Sequence, residues 1–219
     1  VTKPEIKTPA DLKGKRIGVT RIGAVSHSVL LMMLQRWKMS VNDVQVMQLG
    51  SSPSMLASLD KGGIEGAVVT IPSMFVAEDR GYRVLLDMAD TDIYYLHTMI
   101  ATTRQYIKSN RDKVSRFLKG YVEGIAFVKQ NKKESLDIVK KKLRIGPEQE
   151  RNLELSLDLL IAKYYENVPY PSLRGVETVL GFVEKDHPKA KTADPNSFVD
   201  DSLLREIEQS GFVKKLYDR

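Results

Sequence analysis

The sequence predicts a mixed α/β fold: a lobe built on a mostly parallel sheet over residues 1–103, followed by a helix-rich region over 104–219. Three observations carry this. Short apolar runs alternate with helical segments through the first hundred residues. Beyond residue 103 the apolar positions recur at spacings of three and four. A 219-residue chain that is 42% hydrophobic has material for one large domain or two small ones.

The elements follow in order. Thr8 caps a short turn with Pro9 at its first position, and Gly14 ends it. Residues 16–20 (RIGVT) form a first strand; a polar loop leads to the apolar run 29–34 (VLLMML), read as helix. Residues 44–49 (VQVMQL) alternate with period two, the turn at 50–53 (GSSP) opens a short helix over 55–61, and Gly62 and Gly63 stop it. Residues 64–70 make a third strand, Pro72 opens a third helix to about Arg80, and 82–86 (YRVLL) reads as a fourth strand. Strands and helices alternating at this spacing imply parallel pairing with helices on both faces. After one more strand candidate at 97–103 (HTMIATT) the pattern turns helical. Val114, Phe117, Leu118, Tyr121, Val122 and Ile125 mark an amphipathic helix, on which Gly120 and Gly124 suit close packing against a neighbour. Further helices are expected over 133–143, 147–164, 173–185 and 202–209, the last bracketed by Asp200 and Asp201 as caps and by Gly211.

Composition removes several function classes. With no cysteine there is no disulfide, thiolate metal site or cysteine nucleophile. No segment is long and apolar enough to cross a bilayer as a helix. The chain starts at Val1 with neither an initiator Met nor the apolar core of a signal peptide, so its front reads as cut. The net charge of +6 is regional: residues 104–144 hold 13 Lys and Arg against 4 Asp and Glu, and the rest of the chain sums to −3. Such a charge run on helices poor in stacking aromatics is a solvated face, and no nucleic-acid partner is expected.

Candidate chemistry sits in the loops after the strands, because parallel sheets bind ligands at the carboxyl ends of their strands, where helix N-termini present free N–H groups. The first loop supplies Thr20, Arg21, Ser26 and His27, with Ser26 or His27 as the helix cap and Arg21 as a cation. The second supplies Ser51 and Ser52, with Ser52 as cap and Pro53 at the first helical position; the third supplies Thr70 before Pro72. Tyr94, Tyr95 and His97 fit either of two roles, lining a pocket mouth or forming an edge packed against another lobe. Catalytic motifs fail. The stretch 18–23 (GVTRIG) has P-loop glycines, but Ala24 and Val25 stand where lysine and a hydroxyl residue are required. No Gly-x-Ser-x-Gly elbow is present, and His27, His97 and His187 lack metal-ligand spacing. No enzyme, metal or cofactor is expected.

Residues 8–19 (TPADLKGKRIGV) resemble the segment that opens the second lobe of substrate-binding proteins of the nitrate, sulfonate and taurine type, which serve ABC importers. Residues 59–70 (LDKGGIEGAVVT), 97–103, 116–124 (RFLKGYVEG), 191–195 and 198–200 are similar to later stretches of that family. The resemblance implies a type II periplasmic-binding-protein lobe with hinge strands at 1–7 and 97–103, and C-terminal helices that pack on a first lobe lying outside this chain. It also implies a small, anionic ligand in an interlobe cleft, where the loop residues read above, Thr20, Arg21, Ser26, His27, Ser51, Ser52 and Thr70, with Tyr94, are expected to bind it. The implied partner is an ABC importer permease, and the implied location is periplasmic or extracellular, with any contact to the membrane made through the permease or a lipid anchor outside this chain. Nitrate, sulfonates, pyrimidines such as thiamine-pyrimidine precursors, and aromatic acids all suit the scaffold. The alternative is the effector domain of a LysR-type regulator, which has a related two-lobe fold and should carry both lobes within this length.

Overall fold

The structure, a computed structural model, describes residues 1–184 and 186–218, so the expected end of one helix at Lys185 lies outside the described residues. Its sheet has three parallel strands, β1 (Arg16–Val19), β2 (Gln45–Gln48) and β3 (Gly66–Ala67), in the order β2-β1-β3. The α/β class with a small parallel sheet is therefore as expected. The helices after the strands are α1 (Val25–Arg36), α2 (Ser52–Asp60) and α3 (Ser73–Asp79).

Period two explains how they pack. Ile17 and Val19 face α1 and join Leu30, Leu34, Ile6, Leu12 and Val44 in one apolar cluster. Gly18 between them faces the opposite way, toward α2. A β-carbon there would stand 2.8 Å from Ile64 Cδ1 and 3.2 Å from Met55 of α2, so any side chain at this position would have to displace both. Met55, Leu56, Leu59, Ile64, Ala67 and Ala77 form the second cluster on that face.

The sheet is smaller than the sequence pattern implies. β3 pairs with β1 through only two registered positions, Ile17 with Gly66 and Gly18 with Ala67. The expected strand at 82–86 is reduced to a bridge at Arg83, which pairs antiparallel with Thr2; Thr2 also bridges Gly66. Residues 97–103, expected as a strand, belong to no ladder. A strand exists only through its partner, and no described segment pairs with this one.

By contact the chain divides into two compact units, Val1–Asp92 with Arg151–Ser156, and Ile93–Glu150 with Leu157 onward. The second is helical: α4 (Arg104–Ser109), α5 (Arg111–Gln130), α6 (Lys132–Leu143), the latter part of α7 (Glu150–Leu159), α8 (Leu173–Val183), α9 (Ser202–Gln209) and α10 (Phe212–Tyr217). Its core joins Val122 and Ala126 of α5 to Leu204, Ile207, Val213 and Leu216. The expectation that Gly120 and Gly124 receive a neighbour is not met among the described residues: both are exposed, with open space above each α-carbon. Asp201 is the residue before α9, but its carboxylate binds Arg205; Asp200 instead accepts from the Ser202 N–H. No described helix is long and apolar enough to cross a membrane.

Candidate functional site

The parallel order places the loops after β2, β1 and β3 side by side at the carboxyl edge of the sheet in the first unit. Backbone bonds knit them together. The Leu49 N–H donates to the Val19 carbonyl at 2.9 Å, the Gly50 N–H to Thr20 at 2.9 Å, and the Val68 N–H to Gly18 at 3.0 Å.

The first loop centres on a pair of hydroxyls. Ser26 Oγ accepts from the Thr20 N–H at 2.9 Å and shares a 2.8 Å hydrogen bond with Thr20 Oγ1. This corrects the expected cap. Helix α1 starts at Val25, its capping position is Ala24, and no side chain caps it. Ser26 cannot serve, because its hydroxyl is turned back to Thr20, and His27 is already in the first turn, where its Nδ1 accepts from the Gly23 N–H at 3.2 Å. Gly23 has φ of +81°, a left-handed turn that glycine adopts without strain. The N–H groups of Val25, Ser26 and His27 consequently meet no acceptor among the described residues. Arg21 is exposed in the same loop.

The second loop also differs by one residue from the expectation. Ser51, not Ser52, caps α2: its Oγ accepts from the Ser54 N–H at 3.2 Å and bonds the Ser54 hydroxyl at 2.8 Å, while Ser52 and Pro53 are the first two helical residues. In the third loop the Thr70 carbonyl accepts from the Met74 N–H at 3.2 Å, after a cis Ile71–Pro72 bond. Thr70 itself is exposed.

Charge at this edge is one-sided. The stretches 20–27, 50–54 and 70–72 contain no Asp or Glu, and the first turns of α1, α2 and α3 carry no acid. The positive helix ends are therefore left unneutralised, with Arg21 beside them.

Tyr94 lies in the second unit, where the Arg174 guanidinium stacks on its ring 4.1 Å from the centroid. Sequence reasoning also missed Gln48. Its Oε1 accepts from the Ile22 N–H at 3.1 Å, and as an exposed polar residue alternating along β2 it gives no signal in the sequence.

The profile of NMT1/THI5-like proteins matches residues 1–135. The chain belongs to the NMT1/THI5-like family. Solved binding proteins share the fold seen here. The periplasmic aliphatic sulphonate binding protein SsuA of Escherichia coli superposes with a TM-score of 0.71 at 19% identity, over 91% of this chain and 63% of its own. A protein of Bordetella bronchiseptica RB50 gives 0.71 at 20%, over 94% and 68%. The alkanesulfonate-binding SsuA of Xanthomonas axonopodis pv. citri, solved with bound MOPS, gives 0.64 at 17%, over 87% and 63%. The chain thus spans about 63% of the length of these SsuA proteins. No curated protein sequence matches it. The family likeness read from residues 8–19 and the later stretches is borne out at the level of family and fold.

Proposed function

We propose that this chain is the second lobe, with C-terminal helices, of a non-enzymatic substrate-binding protein that holds a small anionic solute and delivers it to an ABC importer permease. The helices after residue 103 pack on a first lobe of the kind the longer relatives possess, and the solute lies between the two. The protein works in the periplasm or outside the cell, free or on a lipid anchor outside this chain. The observation that carries the reading is the N-terminus of α1: a 12-residue helix with no side-chain cap, no acid in its first turn, and the Thr20–Ser26 hydroxyl pair beside it. Three free N–H groups and a positive dipole end suit an oxyanion. Arg21 adds a charge, and Ser51, Ser52 and Thr70 add hydroxyls on the neighbouring loops. The LysR-type alternative draws nothing from the comparisons.

The test is ligand-induced thermal stabilisation of the complete protein, with ethanesulfonate, taurine and nitrate as probes. At least one should raise Tm with saturable dependence, by linkage of binding to folding. Arg21→Ala should weaken that probe about tenfold, the value of one charge-assisted hydrogen bond. Wild-type affinity in Arg21→Ala, or no stabilisation by any probe, sinks the anion assignment.

A further inference from the structure

We propose that Gln48 and His27 are positioning residues that clamp the loop between β1 and α1, so that the loop forms a wall of the anion site and leaves donation to the first turn of α1. The inference rests on the anion-binding reading above and assigns roles within the same site.

The argument is an accounting of backbone donors from Thr20 to Ala24. Thr20 N–H is held by Ser26 Oγ at 2.9 Å, Ile22 N–H by Gln48 Oε1 at 3.1 Å, Gly23 N–H by His27 Nδ1 at 3.2 Å, and Ala24 N–H by the Arg21 carbonyl at 3.0 Å. Four of these five N–H groups are therefore engaged within the protein and do not face a solute. Two consecutive ones, Ile22 and Gly23, are held by side chains reaching from opposite sides, one from the last residue of β2 and one from the first turn of α1. Among the described residues no other hydrogen bond holds the N–H groups at those two positions, and Arg21 immediately precedes them. Releasing either bond frees the turn that aims the guanidinium and borders the three open N–H groups of α1. With Nδ1 accepting, the ring N–H is the one on Nε2, so His27 keeps a donor while it holds the loop. Gln48 likewise keeps its amide donors while its oxygen is occupied.

The test combines amide exchange with binding in the complete protein, using ethanesulfonate as probe. Gln48→Ala should speed hydrogen exchange at Ile22, and His27→Ala at Gly23, in the unliganded protein. Each should weaken ethanesulfonate about tenfold, and because both act on one loop the double variant should be little worse than either single one. His27→Asn, whose Oδ1 stands where Nδ1 stood, should recover most of the affinity lost in His27→Ala. Unchanged exchange in both alanine variants overturns the clamp whether or not the probe binds. Multiplying losses in the double variant overturn it too, since they mark two independent ligand contacts. Failure of the wild type to bind ethanesulfonate, taurine or nitrate defeats the anion reading instead, and exchange at Ile22 and Gly23 then judges the clamp alone.

Discussion

Glu65 stands just before β3 and performs the pairing that this two-residue strand is too short to provide. Its Oε2 accepts from the Arg16 backbone N–H at 2.9 Å and from Arg16 Nε at 3.2 Å; its Oε1 pairs with Arg16 NH2, which also donates to the Gly62 carbonyl at 2.8 Å. The Glu65 N–H donates in turn to the Arg16 carbonyl at 2.9 Å. One carboxylate thus joins the start of β1 to the start of β3. The Arg16 guanidinium holds the Glu65 pKa at about 2 against an ordinary 4.5, with partial burial opposing the shift and the Arg16 N–H adding to it. By linkage that lowering is worth about 3 kcal/mol at most. The Glu65 side chain is 18% exposed but Arg16 is 39% exposed, and solvent screening reduces the figure to about 1–2 kcal/mol. Because the folded-state pKa is depressed, this stability is fully present above pH 4.5 and is lost as pH falls toward 2. Glu65→Gln should therefore unfold about 1–2 kcal/mol more easily at pH 7, and the gap to wild type should close between pH 4.5 and 2. Urea unfolding of both proteins at a series of pH values measures this. A gap that stays constant from pH 7 to pH 3, or no gap at neutral pH, would refute the electrostatic account.

Two further outcomes follow from the packing. Gly18→Val puts a branched side chain where even a β-carbon meets Ile64 at 2.8 Å, and should cost about 1–3 kcal/mol in urea unfolding; an unchanged midpoint would mean α2 is not tightly seated on β1. Asp79→Ala removes the acceptor for Arg151 NH1 and for Asn152 Nδ2, both at 2.8 Å, and should cost about 1–3 kcal/mol because Asn152 is buried and its Oδ1 already lacks a partner. Arg151→Ala, which removes the 70% exposed partner, should cost under about 1 kcal/mol, and the reverse ranking would place the strength of this contact in the ion pair instead.

The parts of this molecule legible in its sequence are those whose physics is local. The apolar run around Gly18 and the one at 29–34 specify β1 and α1, because a strand buried on both faces and a core helix each need such a run wherever they sit. Residues 97–103 show where that reasoning stops: an apolar, β-branched stretch qualifies as a strand only when a partner presents a free edge, and composition does not say whether one does. The caps fail for a different reason. Ser outranks Ala as a capping residue, yet Ala24 occupies that position because the Ser26 hydroxyl is already engaged by Thr20 across six residues. In the second loop Ser51, Ser52 and Ser54 are chemically equivalent candidates, and the backbone register chose Ser51. Gln48 is the remaining case: it meets Ile22 only because parallel pairing sets the end of β2 beside the end of β1. The α1 N-terminus lacks what the local rules would have supplied, a capping side chain and a first-turn acid, and this open end at the carboxyl edge of a parallel sheet is the reason the anion site is proposed there.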